Sequence, residues 1–596
     1  MMSAMTRQLG RHWVTGLVAL IAVLLVACGG AASKPSDAPK APAVPAAPKA
    51  PAAGAPTAAP TVAPAPGKVV SAKDSITLVV PEEPVQLNSF LSLGAALTSP
   101  IIKDNVVDPL TWQSGDDLRI VPTGATESWQ QVDADTWRFQ LRKGVKFHNG
   151  EAWNAQAALP SLAFLGIGAN NNSSFPYTSG FKAVAVDEYT IDINCDQPCP
   201  IFPSTAFFVT FEAPGYLAAN PKDENRARQA VGFGPYRLVK WEPGVSITQE
   251  AYPGYVPAGN HFEFQKPLIR NLKWVWRAEP TVMSAMVKTA EADIAWDVGV
   301  DQIKALPKEW IKSGSSAETF ALTVNTLWHP ELKKKNVRLA IQHAINCQEL
   351  INNLYGGQST CRGNIIWPGV IGATERNTAP YKYDPALARQ LLKDANYDPK
   401  NVIRIVGRST RIPKQVEVYE AIQGYMKAVG MNVEINIVEV ATRSALTNCG
   451  IGKALNEVLE AQGKDPKKDK PTLADMQAAV DKGGANCPTG QLIENEPSNE
   501  TLDFGRQMNF YMNCVFPRSL VCDPSPGGIQ EQIAPALAAS GAERQRLMSL
   551  LADKLHDDVL FISGFDLPVI YAVNPKLNWK TRFDGRVRAQ TMWFSK

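Results

Sequence analysis

The sequence predicts an α/β fold with mixed sheets. Segments with alternating apolar side chains, such as Ser75–Val80 (SITLVV) and Thr136–Leu141 (TWRFQL), have the two-residue period of strands. Other segments, such as Asp384–Ala395, repeat their apolar residues at helical spacing. Because both kinds recur along the chain, we expect sheets covered by helices.

Two further strands are predicted at Tyr189–Ile193 and Asn432–Val438. We predict a helix over Asn336–Leu354, ended by Gly356-Gly357, and another over Gln415–Val429. The helix at Asp384–Ala395 begins with Asp-Pro, a pair typical of the cap and first turn.

The first 27 residues have the pattern of an export signal. Arg7 and Arg11 precede an apolar run from Val14 to Val26, which is too short to span a bilayer as a helix. The tetrapeptide that ends at Cys28 (Leu-Val-Ala-Cys) resembles the bacterial lipobox. The resemblance implies that residues 1–27 are removed and that Cys28 carries a lipid. The alternative is an ordinary signal peptide with an incidental cysteine.

Residues 28–68 are predicted to form an unfolded tether. They are rich in Ala and Pro, with ten prolines between Pro35 and Pro66 and no aromatic residue. Such a segment cannot bury enough apolar surface to fold, and its prolines favour extended conformations. A tolerated disordered stretch without a role is the alternative.

The remaining residues, 69–596, exceed the size of a single core, so we expect two or three lobes. The chain has 60 Lys and Arg against 57 Asp and Glu, a formal net charge of +3. This balance gives no reason to expect nucleic acid as a partner. No later segment has the length and hydropathy of a membrane helix, so the lipid at Cys28 is the only membrane contact that we expect.

Eight cysteines remain once Cys28 is assigned to lipid, an even number that suits an oxidising compartment. They fall into pairs that are close in sequence, and we predict four disulfides: Cys195–Cys199, Cys347–Cys361, Cys449–Cys487 and Cys514–Cys522. Eight cysteines allow 105 arrangements, so this pairing is a hypothesis. A zinc site is disfavoured because there is no Cys-x-x-Cys, and we expect neither metal nor cofactor.

Enzymatic signatures are lacking in the sequence. It has six histidines and contains no His-Glu-x-x-His, no Gly-x-Ser-x-Gly and no phosphate-binding loop of the Gly-x-x-x-x-Gly-Lys-Ser/Thr type. We therefore do not expect an enzyme. A cell-surface lipoprotein with a hydrolytic or adhesive role is the alternative.

Five collinear segments carry a resemblance to a known family: residues 123–155, Gly232–Tyr236 (GFGPY), Ala290–Ile294, Asn336–Leu350 and Tyr381–Tyr397. Through them the chain resembles the family 5 extracellular solute-binding proteins, which are receptors of ABC importers for oligopeptides, dipeptides, nickel complexes and some sugars.

The resemblance implies a periplasmic-binding-protein-like fold of type II, cluster C, in which two lobes surround a ligand cleft and a further lobe is added. By this resemblance we place lobe I at residues 69–110, 230–298 and 570–596, lobe II at 111–229, and lobe III at 299–569. Residues 449–500 are predicted to be an insertion in lobe III.

The resemblance also implies a function. A monomer would capture a small solute by closure of its lobes and deliver it to the permease subunits of an ABC importer. It would act at the extracytoplasmic face of the cell membrane, held by its lipid, or in the periplasm.

Candidate ligand-binding residues follow from the same resemblance. Peptide-binding members have an acid in lobe III that pairs with the peptide ammonium group, and the comparable stretch here, Arg506 to Asn513, lacks it. An unpaired buried ammonium is costly, so we expect neutral or anionic solutes rather than free amines. Within this stretch Arg506, Tyr511 and Asn513 are candidate contacts. A salt bridge inside the lobe is the alternative for Arg506.

Trp296 and Tyr571 are predicted to be stacking walls of the cleft, and their alternative is an ordinary place in the core. Three other polar residues are interpreted as structural: His148 as a turn residue, and Arg338 and His343 as contacts within a lobe.

Overall fold

The computed structural model describes residues 70–88, 98–166, 180–195, 197–222, 226–259, 261–409, 411–447, 451–466, 468–482, 492–516 and 519–596. Residues Val69–Lys596 form one compact unit. The predicted signal peptide, Cys28 and the tether lie outside the described residues. Among the helices described, none is long and apolar enough to cross a membrane.

The strands are numbered in chain order: β1 (Ser75–Val80), β2 (Trp112–Gln113), β3 (Ile120–Val121), β4 (Thr126–Gln131), β5 (Thr136–Leu141), β6 (Lys182–Asp187), β7 (Thr190–Asn194), β8 (Tyr236–Glu242), β9 (Ser246–Ala251), β10 (Asn271–Trp276), β11 (Ile294–Ala295), β12 (Ile311–Val324), β13 (Ile403–Gly407), β14 (Val433–Ile437), β15 (Leu492–Asn495), β16 (Phe561–Val573), β17 (Leu577–Asn578) and β18 (Trp593–Phe594).

The helices are α1 (Thr98–Lys103), α2 (Ala155–Gly166), α3 (Phe202–Thr205), α4 (Pro214–Ala219), α5 (Pro280–Lys288), α6 (Lys335–Ala344), α7 (Cys347–Tyr355), α8 (Glu375–Thr378), α9 (Pro385–Asp394), α10 (Gln415–Ala428), α11 (Val440–Thr447), α12 (Ile451–Ala461), α13 (Leu473–Lys482), α14 (Gly505–Tyr511), α15 (Ile529–Ala538) and α16 (Gly541–Asp557).

One mixed sheet of ten strands runs through the compact unit in the order β14-β13-β15-β12-β16-β11-β1-β10-β9-β8. Strand β1 lies parallel to β10 on one side and to β11 on the other. It ends in consecutive apolar residues, Leu-Val-Val, all buried, which suits a strand that is covered on both faces. Strands β4, β5, β7 and β6 form a separate antiparallel sheet.

The long strands β12 and β16 join the two ends of the large sheet. They pair antiparallel over most of their length, from Ile311 opposite Ala572 to Thr323 opposite Phe561. The register shifts between Ser315 and Thr319, so the pairing is interrupted near the middle of the ribbon. At the far end of β16, Val573 pairs with Ile294 of β11.

Large apolar clusters pack against these sheets, and three of them illustrate how the core is divided. One draws all its members from residues 110–233 and covers the four-stranded sheet, with Phe139, Trp153 and Phe233 among them. A second combines residues 76–296 with residues 569–594. The third lies mainly among residues 275–572. The lobe boundaries remain a prediction, and the boundary placed at residue 570 falls inside β16.

The predicted strands are confirmed. Those at Ser75–Val80 and Thr136–Leu141 have the expected bounds, and those predicted at Tyr189–Ile193 and Asn432–Val438 differ from β7 and β14 by one residue at each end. The helices predicted at Asp384–Ala395 and Gln415–Val429 are also present. Asp384 caps the first of them by accepting a hydrogen bond from the Leu387 N–H at 3.0 Å.

The single helix predicted over Asn336–Leu354 is wrong. The segment forms two helices, α6 and α7, separated at Ile345-Asn346. The Asn346 side chain accepts a hydrogen bond from the Glu349 N–H at 3.2 Å and so starts a new helix. An N-cap satisfies amides that would otherwise lack partners, and here it outweighs the continuous apolar pattern.

The Gly-Phe-Gly-Pro-Tyr turn is explained by close packing of backbones. A Cβ atom at Gly232 would lie 2.5 Å from the Val106 carbonyl oxygen, and one at Gly234 would lie 2.6 Å from the Val106 carbonyl carbon. The turn leads directly into β8, which begins at Tyr236 as predicted. Glycine is therefore required here by the neighbouring chain rather than by a ligand.

Three of the predicted cysteine pairs are disulfides in the structure: Cys195–Cys199, Cys347–Cys361 and Cys514–Cys522. Cys449 and Cys487 lie outside the described residues. The predicted insertion at residues 449–500 includes α12, α13 and β15. Because β15 pairs with both β12 and β13, that end of the range belongs to the main sheet.

Candidate functional site

The interruption between β12 and β16 forms the floor of a cavity of about 290 Å³. Within it, Ala317 has a φ of 62°, which is unusual for a residue with a side chain. Ser316 bridges to Asp584, and Glu318 bridges to Ser498. Such a bulge re-aims side chains, and here residues 316–318 all line the cavity.

The cavity wall is strongly charged. Five carboxylates line it, those of Asp297, Glu318, Glu496, Glu500 and Asp584. Three guanidinium groups accompany them, from Arg411, Arg506 and Arg586. Apolar surface is added by residues such as Phe207, Trp296 and Leu567. A concave site with several converging polar groups is the usual form of a small-molecule site.

Glu318 and Glu496 are held by arginines of the segment after β13. Arg411 Nη2 lies 2.8 Å from Glu318 Oε2, and Arg408 Nη2 lies 2.7 Å from Glu496 Oε2. Arg408 also pairs with Glu494, which is fully buried behind the wall. Burial raises the pKa of Glu318, although the charge on Arg411 opposes this.

Glu494 in β15 and Glu496, which follows the strand, titrate as a pair. Burial and the charge of Glu494 raise the pKa of Glu496 to about 8. Burial also opposes ionisation of Glu494, but its hydrogen bonds to Glu496 and Arg408 and the charge of Arg443 outweigh it and lower its pKa to about 2. Glu494 therefore ionises before Glu496 as the pH rises.

The opposite part of the wall is built by the chain after β16. Arg586 pairs with Asp104 and lies 3.7 Å from Asp584 Oδ2, while Arg582 Nη2 lies 2.8 Å from the same oxygen. Arg582 pairs in addition with the buried Glu263. Burial opposes ionisation of Asp584, but the charge of Arg582 and its hydrogen bonds lower the pKa of this carboxyl.

Arg506, a predicted contact, lines the cavity and also forms a salt bridge, so both interpretations of it describe its geometry. Its Nη1 lies 3.2 Å from Glu500 Oε1 and donates to the Ser498 carbonyl oxygen at 3.3 Å. The guanidinium carbon is 5.7 Å from the centroid of the Phe510 ring. Beyond it lies a second cavity of about 330 Å³, lined by Arg506, Phe510, Ile201 and Leu537.

Trp296, the second predicted contact to line the cavity, is 6% exposed. Its Nε1 donates to the Gly585 carbonyl oxygen at 3.2 Å. Asp297 follows it with a φ of 56°. Burial raises the pKa of the Asp297 carboxyl to about 6, and the Ile570 N–H opposes this only in part.

The other three predicted contacts lie away from this cavity wall. Tyr571 is fully buried in the core cluster around β1 and donates to the Gly585 carbonyl oxygen at 3.3 Å. Tyr511 donates to Asn495 Oδ1 at 3.2 Å and packs edge-on against Phe561.

Asn513 belongs to a local network beside the Cys514–Cys522 disulfide. It donates to Asn509 Oδ1 at 2.8 Å and accepts from Gln530 Nε2 at 3.1 Å. The structure therefore brings Trp296 and Arg506 together and leaves Tyr511, Asn513 and Tyr571 outside the wall.

The residues interpreted as structural make internal contacts. His148 Nε2 lies 3.0 Å from the Gly234 carbonyl oxygen, and burial lowers its pKa to about 4. Arg338 donates to the carbonyls of Leu332 and Asp558 at 2.8 and 2.7 Å. His343 Nδ1 lies 2.8 Å from the Lys382 carbonyl oxygen. Throughout the part of the chain that the structure describes, no group of three His, Cys, Asp or Glu residues is placed to hold a metal ion.

Sequence reasoning missed most of the charged wall. Asp297, Glu318 and Glu496 come from three segments that only the sheet brings together. A partial signal exists in the Glu-Asn-Glu and Arg-Ser-Thr-Arg runs at residues 494–496 and 408–411, where charges flank short strands. It does not reveal which charges face a common space.

Comparison with known proteins agrees with this fold. The ABC transporter substrate binding protein CtaP from Listeria monocytogenes superposes with a TM-score of 0.70 at 15% identity, covering 88% of this chain and all of that one. NikA from Brucella suis, solved in complex with Fe(III)-EDTA, gives 0.69 at 19% identity, covering 87% of this chain and all of NikA. The fold is that of the type II periplasmic binding proteins.

The sequence comparisons show the family. The model of the bacterial extracellular solute-binding proteins, family 5 middle, matches residues 119–465, more than half of the chain. The protein belongs to this family. The glutathione-binding protein GsiB from Escherichia coli K12 is 26% identical over 323 residues, which cover 52% of this chain and 60% of GsiB. GsiB from Pectobacterium atrosepticum is 26% identical over 342 residues, covering 55% of this chain and 63% of that protein. These matches span about three fifths of the curated relatives.

Proposed function

We propose that this protein is an extracytoplasmic receptor that captures a small organic solute in the charged cavity and delivers it to the permease of an ABC importer. The observation that carries the proposal is the cavity at the bulge between β12 and β16. Its wall combines residues from the segments 100–101, 113, 207, 296–297, 316–318, 411–413, 496–506, 567–569 and 584–586. A site assembled from such distant segments is sensitive to their relative position, as solute capture by closure requires.

Binding without turnover is the expected behaviour. The charged side chains of the wall are largely engaged in ion pairs, and such fixed pairs suit recognition of polar groups. The family consists of extracellular solute-binding proteins. We therefore propose that the chain is not an enzyme. We propose separately that it acts as a monomer.

We also propose that Cys28 carries the lipid that holds the receptor at the membrane, with residues 28–68 as its tether. Substitution Cys28→Ser should release the protein from the membrane fraction, while solute binding by the released chain stays unchanged. Continued firm anchoring of the variant would contradict the lipid attachment.

The test of the receptor function is mass spectrometry of the solute that copurifies with the chain, followed by thermal unfolding with that solute added back. A ligand that binds only the folded state at a hundred times its Kd stabilises by about 2.7 kcal/mol. We expect stabilisation and an unchanged solute after incubation. Conversion of the solute to a product would overturn the receptor function in favour of a hydrolase.

A further inference from the structure

Asp297 differs from the other charged residues of the cavity wall. Among the described residues, each of the other seven charged side chains on the wall has an ion-pair partner: Glu318, Glu496, Glu500, Asp584, Arg411, Arg506 and Arg586. Asp297 has no such partner among them, and its Oδ1 is buried without a hydrogen bond. The wall thus holds one carboxylate that the protein itself does not neutralise.

Asp297 lies at the cavity wall in an unusual backbone conformation. Neighbouring side chains of a regular strand point to opposite faces, yet Trp296 and Asp297 both line the cavity. The φ of 56° at Asp297 explains this, because the left-handed conformation turns the chain directly after β11. Backbone of this kind persists where the surroundings impose it and is concentrated at ligand sites.

We propose that the solute carries an ammonium or guanidinium group, and that this group binds between the carboxylate of Asp297 and the indole of Trp296. This inference rests on the proposed receptor function and names the class of its solute. The carboxylate would receive charge-assisted hydrogen bonds, and the face of a tryptophan is the best aromatic partner for a cation.

A cationic solute differs from the one that the sequence favoured. The missing acid in the stretch from Arg506 to Asn513 had favoured neutral or anionic solutes. The carboxylate of Asp297, which follows β11, can bind a cation in place of that missing acid. The guanidinium groups of Arg411 and Arg506 are already paired, so an anionic solute would have to displace Glu318 or Glu500.

Burial also supports a cationic solute. Because burial raises the pKa of Asp297 to about 6, its carboxylate is poorly stabilised by the protein alone. A bound cation would supply the missing charge and favour the ionised form.

The test compares solutes that differ in charge but hardly in shape, by calorimetric titration of the full chain in detergent at pH 8. The pairs are N-acetyl-arginine amide with N-acetyl-citrulline amide, n-butylguanidine with n-butylurea, and n-butylamine with n-butanol, and sucrose and citrate are added. We expect at least one cation to bind, with its neutral counterpart at least tenfold weaker. Asp297→Asn should weaken binding of that cation at least tenfold.

Asp301→Asn is the matched control. It makes the same substitution four residues further on, where the side chain is 73% exposed and pairs with Lys414 outside the cavity. We expect this variant to bind the cation as the parent chain does. Trp296→Phe should weaken binding of the cation less than Asp297→Asn does.

The outcomes separate the two proposals. Equal binding of charged and neutral partners, or undiminished binding by Asp297→Asn, overturns the cation site and leaves the receptor function standing. Binding of sucrose or citrate alone does the same. If no cation in the panel binds, the cation site is also overturned, and the copurifying solute then tests the receptor function by itself.

Discussion

Arg411 Nη2 lies 2.8 Å from Glu318 Oε2, and this pair connects the segment after β13 to the bulge of β12. Arg411 also lies 3.9 Å from Glu496 Oε2, so one guanidinium faces two acids of the same wall. The pair therefore holds the bulge against the neighbouring part of the sheet, and the shape of the cavity depends on it.

We predict that Arg411→Met destabilises the chain by about 1–3 kcal/mol at pH 7, because Glu318 loses its neutralising charge in a largely buried place. The loss of stability caused by Arg411→Met should be smaller at pH 4, because the raised pKa of Glu318 lets this carboxyl bind a proton there. Urea unfolding at both pH values measures this. A loss that is equal at the two pH values would show that packing, not charge, is responsible.

Asp297→Asn should stabilise the solute-free chain at pH 8. The folded-state pKa of about 6 exceeds the ordinary value of 3.8, so the folded state binds the proton more tightly than the unfolded state. Stability of the parent chain therefore falls as the pH rises from about 4 to about 6. The substitution removes this fall, which is worth about 3 kcal/mol from a shift of this size.

Thermal unfolding of the Asp297→Asn variant and its parent at pH 4 and pH 8 measures this effect. The variant should be more stable than its parent at pH 8 and nearly equal to it at pH 4. Asp301→Asn, with an exposed side chain, should change neither value by more than about 0.5 kcal/mol.

Arg544→Met should cost about 3–5 kcal/mol, because Arg544 and Asp503 form a pair with side chains that are 3% and 0% exposed. Arg544 also donates to the Leu537 carbonyl oxygen at 2.7 Å near the end of α15, which would lose its partner. Arg546→Met, two residues along α16, is the control. Its partner Glu543 is exposed, so we expect a loss below about 1 kcal/mol in urea unfolding.

Gly234→Ala should destabilise the chain by about 1–3 kcal/mol, since the new Cβ would lie 2.6 Å from the Val106 carbonyl carbon. Gly424→Ala should change the free energy of unfolding in the opposite direction. Gly424 lies within α10, and a Cβ there would meet nothing within 4 Å, so alanine should stabilise by about 0.5–1 kcal/mol. Urea midpoints of the two variants test both signs; a stable Gly234→Ala would mean that the backbones around Val106 can separate.

The replacement of Cys347 and Cys361 by alanine should cost about 3 kcal/mol, because their disulfide closes a loop of 14 residues. The same replacement at Cys195 and Cys199, which are 4 residues apart, should cost less, since a shorter loop constrains the unfolded chain less. Unfolding of both double variants without reductant compares them. If the two double variants lose the same amount of stability, loop length does not explain the effect of these disulfides.

Local patterns predicted the elements well and the site poorly. Ser75–Val80 and Thr136–Leu141 alternate along their own length, so neighbouring residues suffice to define them. Asn346 starts a new helix inside the segment that was predicted to be one helix. Its cap depends on a single side chain, and the apolar period of the segment gives no sign of it. Trp296 was found because it follows the family segment at Ala290–Ile294.

The charged wall depends on contacts between distant segments. Glu318 faces the cavity because β12 loses register with β16, and the sign of φ at Ala317 cannot be deduced from an alanine in an alternating run. Asn513 was assigned to the site from its place in a motif, yet its amide is engaged by Asn509 and Gln530. A motif fixes where a residue lies in the chain, and only the fold determines what it faces.

The interrupted pairing of β12 with β16 has a mechanical consequence. An unbroken ribbon resists bending along its whole length, whereas one that lacks ladder hydrogen bonds over several residues bends there first. In this protein the longest interruption lies beneath the cavity, so we expect a solute that fills the cavity to contact the part of the ribbon that bends most easily. The curvature of the ribbon would then change with occupancy of the cavity, and so would the outer shape that a partner meets.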